Sequence, residues 1–240
     1  MEKRIKYVVV SLMIIGTLLM AGCNEANPDK VLSDSDKTEI KKMLASMDSK
    51  VDILLFTSES GCFSCSKTQT LMKELDQLSD KITLKSYDTE KNKDMATKYN
   101  IELVPAIVIV GKEDYGIKHY GFPGGKEFNP LLEVIISSSM NRPKTSEEIT
   151  KKVNTITNPV EVKIFVTPTC PSCPDMVRGA YYYSLVSDKV STVTIMSNEF
   201  EEYSEKYKIS AVPTVIFNEK FSREGQMAEE AFVNYLVVSS

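Results

Sequence analysis

One pattern occurs twice in this chain, 108 residues apart, and it limits the possible folds more than any other feature. Cys170, Ser172 and Cys173 overlay Cys62, Ser64 and Cys65. The register then persists: Lys98-Tyr99-Asn100-Ile101-Glu102-Leu103-Val104-Pro105 overlays Lys206-Tyr207-Lys208-Ile209-Ser210-Ala211-Val212-Pro213, with five identities in eight. In each half the proline stands 43 residues after the first cysteine. It directly precedes an apolar run, Ala106 to Val110 or Thr214 to Phe217. A repeat with reactive residues at matched positions implies two units of one fold, and it is a stronger signal than a lone CxxC.

The local pattern supplies the chemistry. Val51 to Phe56 and Val160 to Val166 read as buried strands, each followed by a CxxC and then by helical spacing, such as Met176, Ala180 and Tyr183. A thiol at a helix N-terminus faces unpaired N–H groups and the positive end of the helix dipole, which stabilise its thiolate. A second cysteine about one turn further on can attack a mixed disulfide formed by the first. Cys62 and Cys170 are therefore the candidate attacking thiols, and Cys65 and Cys173 the candidate resolving thiols.

The chain resembles the glutaredoxin-like protein disulfide oxidoreductases, which join two thioredoxin folds in tandem with one CxxC in each. The motifs that carry the resemblance are Thr167-Pro168-Thr169-Cys170-Pro171-Ser172-Cys173-Pro174, Gly61-Cys62-Phe63-Ser64-Cys65, both Lys-Tyr-x-Ile-x-x-Val-Pro segments, and Asp114-Tyr115-Gly116-Ile117. The family implies a pairing within each CxxC and cis peptides at Val104-Pro105 and Val212-Pro213. It also implies that the backbone of Val104 and Val212 holds a substrate strand beside the outer sulfur. The residues alone leave the prolines open, since most X-Pro bonds are trans.

Residues 1–22 are expected to be a lipoprotein signal peptide. Lys3, Arg4 and Lys6 form a positive start, and Tyr7 to Met20 an apolar core of 14 residues, short of the roughly 20 that span a membrane. Leu19-Met20-Ala21-Gly22-Cys23 resembles a lipobox, with methionine where leucine is usual, so Cys23 is the expected lipidation site. An uncleaved N-terminal anchor is the alternative. Both place the body outside the cytoplasm, attached to the cell membrane. Of five cysteines, Cys23 is the one the two CxxC pairs leave over, so no stray thiol remains in an oxidising compartment. Residues 23–36 read as a tether.

A first thioredoxin-like domain is then expected over 37–138, a linker over 139–146 within polar Ser137 to Ser146, and a second domain over 147–240. Ile40, Met43, Leu44 and Met47 have helical spacing, with Asp36 as N-cap. Strand and helix patterns alternate in both halves. The class is α/β, with a central mixed sheet flanked by helices in each half. Near Gly225 the second half shows only a shortened turn.

A formal net charge of −4 without a basic cluster gives nucleic-acid binding no support. His119, the only histidine, lies in a strand pattern without a catalytic partner and reads as a surface residue. Two further readings of the cysteines compete with thiol exchange. One is a zinc site, although the pairs are far apart in sequence. The other is a binding module with structural disulfides. Against thioredoxin itself, the chain has no tryptophan, and the acid six residues before the first cysteine is replaced by Phe56 and Ile164. Glu59 reads as a solvated loop charge, so water is left to take the resolving thiol's proton. Neither Phe63-Ser64 nor Pro171-Ser172 supplies a cation, which favours reductase or isomerase work over strong oxidation. The expected cofactor is none beyond the redox disulfides, and no metal. The expected partners are cysteine-containing extracytoplasmic proteins and a membrane protein that donates or accepts electrons.

Overall fold

The structure is a computed structural model that describes residues 30–140 and 142–240. The signal peptide, Cys23 and the first part of the tether lie outside the described residues. The first half runs α1 (Asp34–Leu44), β1 (Val51–Thr57), α2 (Cys65–Leu78), β2 (Ile82–Asp88), α3 (Lys93–Lys98), β3 (Ala106–Val110), β4 (Asp114–Tyr120) and α4 (Phe128–Met140), with a 3-10 turn at Gly125–Glu127. The second half runs α5 (Glu147–Val153), β5 (Val160–Val166), α6 (Cys173–Val186), β6 (Val190–Met196), α7 (Glu201–Lys206), β7 (Thr214–Phe217), β8 (Phe221–Glu224) and α8 (Glu229–Ser239).

The two α/β units are present, but they share one sheet. Its order is β2-β1-β3-β4-β6-β5-β7-β8. The join is a parallel pairing of β4 with β6, from Ile117 opposite Thr192 to Tyr120 opposite Ile195. It occupies what would otherwise be an open edge in each half, where unpaired N–H and C=O groups invite aggregation. Helices α1, α2, α4, α5, α6 and α8 contribute to the core on one face. Tyr99 after α3 and Tyr203 of α7 pack on the other, against Phe56 and Phe165.

Three local expectations need correction. The N-cap of α1 is Ser33, not Asp36. Asp36 is the third helical residue and completes a capping box: its N–H donates to Ser33 Oγ (3.1 Å) while its carboxylate accepts from the Ser33 N–H (3.2 Å). Helix α4 continues into the polar stretch, burying Ser137, Ser138 and Ser139. Gly111 allows the helix to approach this closely, since a Cβ there would lie 2.5 Å from the Ser138 carbonyl oxygen. Strand β8 replaces the expected shortened turn. All four of its residues are exposed, so it lacks the alternation that betrays a half-buried strand, and its Arg223 and Glu224 suit a sheet edge.

Candidate active site

Strand direction places both CxxC motifs together. β1 and β4 are both antiparallel to β3, and β4, β6 and β5 run parallel. The C-terminal ends of β1 and β5, which lead into the motifs, therefore meet the same sheet edge. They are four strand positions apart, roughly 19 Å at about 4.8 Å per step. The cysteines form the disulfides Cys62–Cys65 and Cys170–Cys173, each with Cα atoms 5.5 Å apart. At that separation the four sulfurs cannot surround one zinc ion, whose Zn–S bonds are about 2.3 Å long. The prolines reach the same edge: Ala106 pairs with Phe56 and Thr214 with Phe165, so the preceding Pro105 and Pro213 lie beside the strand ends that carry the motifs. Both prolines are buried, Val104 and Val212 are half-buried, and both Val-Pro bonds are cis.

In both motifs the helix begins at the second cysteine, with Ser64 or Ser172 at the N-cap. The Cys173 N–H donates to Cys170 Sγ (3.2 Å), the contact that would stabilise a thiolate there. The outer cysteines are not equally open. Cys62 is half-buried beside a fully exposed Phe63, whereas Cys170 is 5% exposed, so the exposed helix end expected for the attacking thiol is not found at the second site. The inner Cys173 is fully buried.

Phe56 and Ile164 are buried and apolar, so neither strand carries an acid beneath its disulfide. Glu59 is exposed and paired with Lys91. A buried carboxyl from the first half nevertheless lies on the turn that packs against the loop before Cys170. Glu127 is 1% exposed, and neither of its oxygens has a hydrogen-bond partner among the described residues. Its 3-10 turn packs on the loop before Cys170: the Lys126 N–H donates to the Pro168 carbonyl (3.0 Å), and a Cβ on Gly125 would lie 2.4 Å from that oxygen. Gly125 has φ of +60°, so glycine suits both the turn and the contact. Burial pushes the Glu127 carboxyl up to about 7, opposed by the Arg178 guanidinium on α6. Nothing in Gly124-Gly125-Lys126-Glu127 separates this glutamate from a solvated charge; only the packing of one half on the other buries it.

His119 is not the surface residue expected from its strand pattern. It is 1% exposed, because β6 covers the edge of β4 and Tyr181 of α6 lies over it. Its Nδ1 lies 3.5 Å from the Tyr181 hydroxyl, and desolvation lowers its pKa to about 3, so the ring is neutral.

Comparison with known proteins agrees with this geometry. Residues 31–136 match the thioredoxin family model, and residues 160–238 match a thioredoxin domain model. The chain belongs to the thioredoxin-fold disulfide oxidoreductases, as a tandem of two such domains. It is 26% identical over 207 residues to an NADH dehydrogenase of Ferdinandcohnia aciditolerans, covering 86% of this chain and 37% of that protein. It is 26% identical over 200 residues to the F subunit of the alkyl hydroperoxide reductase of Staphylococcus epidermidis, covering 83% and 36%. The oxidoreductase thus spans little more than a third of the length of these curated relatives. Among solved structures, a protein disulfide oxidoreductase from Aeropyrum pernix superposes with a TM-score of 0.78 at 25% identity, covering 86% of this chain and 94% of that one. A mutant F subunit of the alkylhydroperoxide reductase from Enterococcus faecalis shares the fold, with a TM-score of 0.79 at 23% identity and coverage of 85% and 99%.

Proposed function

We propose that this oxidoreductase is lipid-anchored outside the cytoplasm and exchanges disulfides with cysteine-containing proteins, as a reductase or isomerase rather than a strong oxidant. In the reductive direction the Cys170 thiolate attacks a substrate disulfide, forming a mixed disulfide and releasing one substrate thiolate. The Cys173 thiol then loses its proton and attacks Cys170 Sγ. This closes the Cys170–Cys173 disulfide and releases the second substrate thiol. Two electrons pass to the substrate, so a separate donor must reduce the site again. The proposed donor in that role is a membrane protein that carries electrons.

The observation that carries the reading is Glu127, an unpartnered buried carboxyl whose raised pKa suits it to hold or release a proton near neutral pH. It stands against the helix that begins at Cys173, so it replaces water as the preferred acceptor for that thiol's proton. The backbone of Val104 and Val212 would pair with the substrate strand, a main-chain contact tolerant of substrate sequence. The second site, with both the Cys173 N–H and Glu127, is expected to dominate. In a disulfide-reduction assay with dithiothreitol as donor, Cys170→Ser should lower the rate about tenfold or more, and Cys62→Ser several-fold at most. A larger loss from Cys62→Ser would reverse the assignment.

Anchoring rests on the positive start, the apolar core and the Leu19-Met20-Ala21-Gly22-Cys23 motif. The N-terminal peptide of the membrane fraction should begin at an acylated Cys23 in mass spectra. An unmodified peptide that still carries Met1 to Gly22 would sink this part of the proposal.

A further inference from the structure

The first disulfide site receives a side chain from the second domain. Glu199 lies in the loop between β6 and α7, at the sheet edge that carries both motifs. Its Oε2 accepts the hydroxyl hydrogen of Ser64, the residue between Phe63 and Cys65 in the first motif. Its Oε1 accepts the Phe122 N–H at 2.9 Å, which fixes the carboxylate from the other side. Gly121 lies against the same segment: its φ is +95°, and a Cβ there would lie 2.7 Å from Met196 Cβ and 3.2 Å from Glu199 Cδ.

The two sites differ at this point. Ser172 has no carboxylate partner among the described residues, and its Oγ lies 4.0 Å from Cys170 Sγ. Ser64 is buried, makes no helix-capping bond, and gives its hydroxyl to Glu199 instead. The repeat does not explain the contact. In its 108-residue register Glu199 corresponds to Lys91, which pairs with Glu59 inside its own domain. The link is therefore specific to how the second domain meets the first.

We propose that Glu199 is a positioning residue through which the second domain sets the reactivity of the first site. It withholds the Ser64 hydroxyl from Cys62 and keeps a carboxylate on the residue that stands between the two cysteines of the motif, so the Cys62 thiolate is disfavoured relative to that of Cys170. The neighbouring charges do not cancel this effect. Lys67 of α2 has its Nζ 4.3 Å from the Phe122 ring centroid, and Lys206 lines the same cleft of about 1050 Å3, but Glu201 and Glu202 line it too. On the other side of the motif Glu59 is paired with Lys91, and Asp88 is a further anion. Reduction of the first site takes up two electrons and two protons, supplied in vitro when dithiothreitol closes to its cyclic disulfide. Disfavouring the thiolate slows attack by Cys62 and makes the reduced site easier to oxidise. The inference rests on the exchange reading only in requiring that this disulfide be reducible.

The test is Glu199→Gln in the full mature chain, which removes the charge but keeps an acceptor for Ser64. After reduction with dithiothreitol, the rate of iodoacetamide labelling is followed against pH, with each cysteine read separately by fragment mass spectrometry. The Cys62 midpoint should fall by about one pH unit. The neutral-pH rate should rise about threefold, because a tenfold gain in thiolate is partly offset by its lower nucleophilicity. Cys170, as the internal control for folding, should keep its profile. A Cys62 midpoint equal to that of the parent protein overturns the inference alone. Equal shifts at Cys62 and Cys170 also overturn it, since they indicate a global change. A first disulfide that resists dithiothreitol overturns both the inference and the activity of that site.

Discussion

Cys173→Ser is expected to convert the oxidoreductase into a trap for its own substrates. Cys170 can still attack, but the group that displaces the substrate is gone, and the other cysteines among the described residues, Cys62 and Cys65, belong to a motif four strand positions away. Turnover should fall by about two orders of magnitude or more, with mixed disulfides accumulating. In acid-quenched cells of the native host, the variant should run as high-mass adducts that collapse on reduction. Cys170→Ser should give few adducts, because its remaining thiol at Cys173 is 0% exposed and a substrate sulfur cannot reach it in line. Adducts with secreted proteins rich in structural cysteines would support reductase or isomerase work. Adducts with a membrane redox protein would identify the electron route. Equal trapping by the two variants would reject the proposed roles.

The second large effect is on stability against pH, and it arises from two buried groups with opposite shifts. Glu127 has its pKa raised from 4.5 to about 7, so it contributes stability that is fully present below pH 4.5 and lost as pH rises through 7. His119 has its pKa lowered from 6.5 to about 3, so its contribution is present above pH 6.5 and lost as pH falls towards 3. Between pH 4.5 and 6.5 the folded state holds one proton more on Glu127 and one fewer on His119, and their slopes cancel. Arg178, already opposing the Glu127 shift, and the Tyr181 hydroxyl beside His119 keep their charge states through this range, as Tyr181 is raised by its own burial. Removing either group should expose the other. Relative to the parent protein, Glu127→Gln should gain about 2 kcal/mol from pH 4.5 to 6.5, and His119→Asn should lose about 2 kcal/mol, at about 1.4 kcal/mol per pH unit for one proton. Urea denaturation of the three proteins across this range provides the measurement. Parallel curves would show that neither group is shifted as its burial requires.

Most of the fold was legible because it follows from local rules. Buried strands such as Val160–Val166 are unbroken apolar runs, and α2 and α6 start at cysteines that the repeat marks independently. The CxxC pairs and the Val-Pro turns were visible for the same reason, since each is a short segment whose chemistry is carried by its own residues. Strand β8 was not legible because an exposed edge strand has no buried face to impose a period on its sequence.

What the tertiary structure alone decided concerns the relation between the halves. Sequence period tells a strand which faces it presents, but it does not name the neighbour at its edge. The pairing of β4 with β6 therefore had to be seen, and with it the burial of His119, which the sequence would leave at a surface. Glu127 and Glu199 were hidden for a related reason. Each lies across the boundary between the repeats, turned towards a motif in the other half, and a carboxylate's environment depends on what packs over it. The amino-acid sequence by itself determined two thioredoxin-like units, each with its CxxC and its proline. The shared sheet determined which carboxyl group packs towards each motif, because only packing removes water from a charged side chain and chooses its partners.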